Sequence, residues 1–183
     1  MSMVDLETFR PIALRVQSQY GDDIRRESVQ FDQKKKSLST VYRYKKQKRT
    51  RNYPKREARL MDLLTTVHYA RLLDIPQHAT ACQEIYLDRR LWRMDAKMRG
   101  VETIDTIAGA RPAIALEVHL KRLPHPDFDP KRRRPWLKGV FYYSNDADRT
   151  LLAFDLENRL AKGRGTLTRW VTKSRSPDSS WKF

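Results

Sequence analysis

The residues best suited to chemistry are few. Glu117 and His119 stand two apart, so in a strand both side chains leave from one face. A carboxylate beside an imidazole can move a proton or, with a third ligand, hold a metal. That pair is the basis for the enzymatic alternative, a metal-dependent nuclease using Glu117 and His119. The spacing departs from the Glu-x-Lys of restriction-type nucleases, because His119 stands where the lysine belongs. His78 and Cys82, four apart, offer two zinc ligands where a structural site takes four. Gly163-Arg164-Gly165 is too short to cradle a phosphate. The expectation is a protein that is not an enzyme and that carries no cofactor and no metal.

The denser signal is cationic. Between Lys34 and Arg59 the chain carries twelve Lys and Arg against one acid, Glu57. Lys34, Lys35, Lys36, Arg43, Lys45, Lys46, Lys48, Arg49, Arg51, Lys55 and Arg56 are the candidate phosphate contacts here, because each phosphate neutralised releases a condensed counterion. Tyr42, Tyr44 and Tyr53 are interleaved with them and can stack on exposed bases. A second cluster, Lys131, Arg132, Arg133, Arg134 and Lys138, has no acid. A third runs over 158–177 and includes Arg164, Arg169 and Lys173, again without an acid. The three clusters hold 23 of the 38 basic residues and one of the 22 acids. The rest of the chain is therefore mildly acidic, although the whole carries +16. Charge placed for solubility alone would be spread more evenly.

These features bound the class. With 183 residues, 39% apolar and 33% charged, the chain supports one core plus a polar arm. A pI of about 10.2 fits a polyanionic partner. Cys82 is the only cysteine, which excludes an internal disulfide. The first residues, MSMVDLETFRP, lack the basic and apolar regions of a leader, and the apolar runs are too short to cross a membrane. The expected location is the cytoplasm, bacterial or nucleoid-associated.

The elements that must position the clusters read as α+β. A helical hairpin is expected over about 55–99, from the stripe Leu60, Leu63, Leu64, Val67 and from Ala81, Ile85 and Trp92 on a second helix ended by Gly100. On that second helix Arg89, Arg93 and Lys97, four apart, would form a basic ridge. A β-ribbon and helix unit follows over about 112–172. Its strands are 113–121 and 137–144, joined by a proline-stiffened basic loop at 122–136. Its helix begins near Asn145, carries Leu152, Leu156 and Leu160, and ends at Gly163. Ahead of these, Val29 with Phe31 and then Leu38–Tyr44 suggest two strands, and 45–56 reads as a flexible basic linker. The domain reading is an N-terminal segment with a basic arm at 1–53, a compact domain at 54–175 and a disordered tail at 176–183. A helix-turn-helix over 67–87 fits poorly, since Asp74 takes the turn position and Gln83 an apolar one. The function expected is non-enzymatic DNA binding, architectural or regulatory, with an RNA-binding role in a ribonucleoprotein as the alternative. A homodimer or larger nucleoprotein assembly is open to it.

Overall fold

The computed structural model describes residues 1–53, 60–72, 80–124, 136–158 and 162–166. Of these, 74% lie in strands and 6% in helix, so the α+β expectation is corrected: the fold is two β-sheets with one short helix. Five strands form the first sheet in chain order: β1 (Ser2–Asp5), β2 (Arg10–Tyr20), β3 (Asp23–Asp32), β4 (Ser37–Tyr44) and β5 (Gln47–Tyr53). All pair antiparallel. The second sheet holds β6 (Leu60–Asp62), β7 (Thr80–Leu87), β8 (Arg90–Thr106), β9 (Gly109–Arg122), β10 (Trp136–Ser144), β11 (Leu151–Asn158) and β12 (Lys162–Thr166). There β6 pairs parallel with β7, and the rest form an antiparallel meander. The helix α1 (Leu63–Ala70) follows β6 directly.

Period-2 patterning explains the first sheet. On β4, Leu38 and Thr40 are buried while Arg43 is exposed on the opposite face. Leu14, Val29, Phe31, Leu38 and Tyr53 turn inward and meet Leu60, Tyr86 and Leu91 of the second sheet, which joins the two sheets through one apolar cluster. A second cluster, built on Met61, Ile85, Met94, Leu116, Val118 and Phe141, is covered by Leu63, Val67 and Ala70 from α1. Leu60, Met61 and Ile85 are at most 2% exposed. Burying such a side chain contributes about 1.5–3 kcal/mol.

Asp62 starts the helix. It is fully buried, and its carboxylate accepts from the Thr65 N–H at 3.0 Å, the Thr65 hydroxyl at 2.7 Å and the Ser2 hydroxyl at 2.7 Å. This ties β1 to α1 and satisfies an end that would otherwise leave donors unpaired. In the long β8–β9 hairpin, Gly100 takes φ +125 beside a register shift, a conformation that side chains other than glycine rarely adopt.

Four expectations change. The helix over 77–99 is the β7–β8 hairpin, where described, and the helix from Asn145 is β11 followed by β12. The reason is shared: residues four apart lie on one side of a helix and also on one face of a strand, so Ala81/Ile85 and Leu152/Leu156 suit both periods. The expected first helix shrinks to α1, because Leu60 belongs to β6. The flexible linker at 45–56 is, up to Tyr53, the turn and strand of the β4–β5 hairpin. The strands at Leu38–Tyr44, 113–121 and 137–144 lie within β4, β9 and β10. The residues of the proline-rich loop from 125 to 135 and the tail at 176–183 fall outside the described residues.

Candidate nucleic-acid interface

Register decides which basic residues stand uncompensated. On the outward face of the first sheet, Gln17 of β2 is opposite Arg26 of β3, Arg26 is opposite Arg43 of β4, and Arg43 is opposite Lys48 of β5. Adjacent strands lie about 4.8 Å apart, so the three cations form a row roughly 10 Å long. All three are exposed. Arg15 lies on the same face, in the next row with Ser28, Val41 and Thr50. Beyond it come Gln30, Ser39 and Asn52. From the row of Ile24 to that of Gln30 no carboxylate stands on this face among the described residues. Like charges directly opposite one another destabilise a sheet.

The face ends at the β3–β4 turn in an open concavity of about 760 Å³, lined by Arg10, Gln30, Lys34, Lys35, Ser39 and Asn52 among others. Lys36 sits in the same turn with φ +52. Two acids border this end, and both are engaged. Asp32 accepts from the Lys35 N–H at 2.9 Å and faces its ammonium at 3.5 Å. Asp5 accepts from the backbone of Glu7 and Thr8 and from the Thr8 hydroxyl. These contacts hold both carboxyls below the usual range, the Thr8 and Lys35 N–H groups respectively being the largest cause. At the other end, Lys45 and Lys46 form the β4–β5 turn, and Lys45 faces Asp23 at 3.4 Å. Arg49 and Arg51 alternate with Lys48 on β5 and so share the inward side with the tyrosines.

Tyr42, Tyr44 and Tyr53 point away from the cationic row. The guanidinium of Arg89 lies 4.8 Å from the Tyr42 ring centre, and that of Arg25 lies 4.9 Å from the Tyr44 ring centre. The Tyr44 hydroxyl donates to Asp23 at 2.7 Å. Tyr53 is buried, donates to the Arg89 carbonyl at 2.8 Å and meets the Tyr86 ring edge-on.

The other predicted cations take different settings. Arg89 is in the β7–β8 turn, while Arg93 and Lys97 share a face of β8, so the ridge exists only in part and on a strand. Arg93 is opposite Glu84 and its Nε is 3.0 Å from Asp95; Lys97 is opposite Glu117. Lys138 is flanked by His119 and Glu157. Arg164 grips both oxygens of Asp155, at 2.7 and 3.0 Å, on the far edge strand β12. The exposed face of the second sheet is thus a mosaic of opposite charges. Lys55, Arg56, Lys131, Arg132, Arg133, Arg134, Arg169 and Lys173 lie outside the described residues. The structure therefore gathers the Lys34–Arg51 part of the first cluster on one sheet and puts Lys138 and Arg164 on the other.

Glu117 and His119 do meet: Oε1 and Nε2 are 2.9 Å apart on the exposed face of β9. The His119 contact holds the Glu117 carboxyl below its ordinary value. No group of three His, Cys, Asp or Glu able to hold a metal occurs among the described residues. Cys82 is exposed on β7.

Sequence reasoning missed Arg15, Gln17 and Arg26. Their alternation with the inward residues of β2 and β3 carried the signal. It also missed the buried pair in which the Tyr86 hydroxyl donates to Glu27, two residues 59 apart in the chain. Burial pushes the Glu27 carboxyl above its ordinary value, against the pull of Tyr86 and Arg89.

A two-sheet, mainly antiparallel protein with a row of three cations on one face is thus defined. The chain belongs to the family described as protein of unknown function DUF3108, whose model matches residues 1–168. No curated protein and no solved structure matches it. No helix among the described residues is long and apolar enough to cross a membrane.

Proposed function

We propose that this protein binds nucleic acid, duplex DNA ahead of RNA, by seating backbone phosphates on the outward face of the first sheet, and that it does so without catalysis. The observation that carries the reading is the Arg26–Arg43–Lys48 row, where folding sets cations side by side and no carboxylate between them. Such a repulsive arrangement costs stability unless an anion relieves it. Phosphate contacts of this kind position a duplex without reading its sequence. Single strands are bound in large part by stacking on aromatic rings, and Tyr42, Tyr44 and Tyr53 face away from this row. That favours the duplex. The role suits a protein of the bacterial cytoplasm that works on the nucleoid, as an architectural or regulatory component.

The test is fluorescence anisotropy with duplex DNA, single-stranded DNA and RNA of equal length across a salt series. Duplex DNA is expected to bind tightest, with log K falling steeply against log salt, at a slope of roughly −4 to −6 for several phosphate contacts. A flat salt dependence would overturn polyanion binding, and a preference for single-stranded RNA would overturn the choice of duplex. Incubation of the complex with Mg²⁺ or Mn²⁺ should leave the DNA intact; cleavage lost in Glu117→Ala would replace this reading with the nuclease one.

A further inference from the structure

On its opposite, inward side the first sheet leaves a cavity of about 340 Å³ against the β7–β8 turn and the start of α1. That is room for about eleven water-sized groups and lies within the range of small-molecule sites. Its walls are mainly apolar: Leu14, Val16, Leu63, Leu64 and Leu87 line it. Val16 and Leu64 are 41% and 47% exposed, so apolar surface is left facing this space. Polar side chains line it too, among them Glu27, Tyr86, Tyr42 and Arg89. Glu27 and Tyr86 form the floor, with the Tyr86 hydroxyl donating to the Glu27 carboxyl. Arg89 and Arg25 stand above, each against a tyrosine ring. Arg89 is held by the Tyr42 ring and by a long 3.7 Å pairing with the exposed Asp88. Asp62 also borders the cavity, but its oxygens accept from Ser2 and Thr65.

We propose that this cavity is a binding site for a small amphipathic carboxylate, its alkyl body on Val16, Leu64 and Leu87 and its head group on Arg89. Arg25, Arg26 and Arg89 line the cavity with Glu27, Asp62 and Asp88. Glu27 is hydrogen-bonded to Tyr86 and Asp62 to Ser2 and Thr65, so Arg89, 3.7 Å from the exposed Asp88, is the cation placed to turn to an anion. A guanidinium offers a carboxylate a planar, paired set of donors. The apolar walls supply what a simple inorganic anion would not use. The cationic row lies on the other face of the same sheet, and of its members Arg26 alone also borders this cavity.

The probe is octanoate, with octanol and octylammonium as controls of equal chain length, followed by titration calorimetry and by methyl shifts of Val16, Leu64 and Leu87. Octanoate is expected to bind saturably at millimolar concentration or below, ahead of both controls. Arg89→Met keeps a stem against Tyr42 and is expected to weaken octanoate by at least about tenfold, since charge-assisted hydrogen bonds are about twice as strong as neutral ones. Leu64→Asp changes an exposed position and places a carboxylate in the wall, and it should abolish binding without altering the thermal melt. Preferential binding of octylammonium, equal binding of octanol, unchanged affinity in both variants, or no saturable binding would each overturn the proposal. DNA affinity of Leu64→Asp should match the parent, so failure here is distinguishable from failure of the nucleic-acid reading.

Discussion

Replacing Arg26, Arg43 and Lys48 together by glutamine isolates the cationic row. Each phosphate contact contributes about 0.9 to the slope of log K against log salt. Removing three should therefore lower its magnitude by about 2.7, from roughly 4–6 to roughly 1–3. Between 50 and 200 mM salt the parent should lose about three orders of magnitude in affinity and the variant roughly half as many. The fold should survive. All three side chains are exposed, and the substitution removes two like-charge pairs directly opposite each other, Arg26–Arg43 and Arg43–Lys48. Such pairs are worth roughly 0.2–1 kcal/mol each, so the melting temperature should hold or rise slightly. The control is Arg93, Lys97 and Arg164 to glutamine, the same charge change on the second sheet. Those residues face Asp95, Glu117 and Asp155, so their charge is already answered. The control should change the slope by less than about 1 and leave the protein no more stable than before. Anisotropy with one duplex across four salt concentrations reads both variants. Equal slope changes in the two would refute the argument from register, and no change in the first would refute the site.

Three further outcomes follow from packing and charge. Gly139→Ala would bring its Cβ to 2.8 Å from the Asp155 carbonyl oxygen and 2.7 Å from Leu156 Cδ2, whereas Gly163 has nothing within 4 Å. Urea unfolding should show Gly139→Ala destabilised by about 1–3 kcal/mol and Gly163→Ala nearly unchanged, and equal effects would contradict the packing. Asp62→Ala removes the helix cap and leaves Thr65 and Ser2 without their acceptor, at an expected cost of about 2–4 kcal/mol in the same assay; a loss below 1 kcal/mol would count against it. Burial raises the Glu27 carboxyl in the folded state, so the folded chain holds its proton to higher pH than the unfolded one. Its contribution is present in full below the unfolded value near 4.3 and is lost as pH rises through the folded value. Glu27→Gln should therefore gain on the parent between pH 4 and pH 8, and a gap that shrinks over that range would refute the assignment.

The sequence made the apolar alternation of 38–44, 113–121 and 137–144 readable because β-branched and aromatic residues recur there at period 2. It hid β5 because an edge strand needs few inward apolar residues: Gln47–Tyr53 has only Tyr53 buried. It hid β7, β8 and β11 because leucines and arginines spaced by four satisfy the helical and the extended period alike. The charge density in 34–59 was legible, and with it the expectation of a polyanionic partner. The surface was not, because which residues share it depends on pairing that no local pattern reports. Tyr42 and Arg43 are adjacent in sequence and leave opposite sides of the sheet, so the interleaving that suggested stacking beside phosphates puts the rings and the cations of the row on different faces.

That separation also explains why the described parts of the three basic clusters meet different surroundings. A run such as Lys162–Arg164 looks uncompensated along the chain, but its neighbours in the folded state are chosen by register, and β11 supplies Glu157 and Asp155 opposite it. Lys138 likewise finds Glu157 across β10–β11. In the β3–β4–β5 meander the acids sit at the two ends, Asp23 beside Lys45 and Asp32 beside Lys35, or on the inward face at Glu27, while the Arg26–Arg43–Lys48 row has a cation opposite a cation. Short hairpin connections make this outcome local, because strands that follow one another within a basic segment pair with each other. The β5 edge then matters as much as the face, since Lys48 and Arg49 stand on the edge strand of the sheet, the kind of strand that would otherwise invite another sheet. Cations there discourage edge-to-edge pairing in the free protein, and a bound polyanion would relieve the same repulsion.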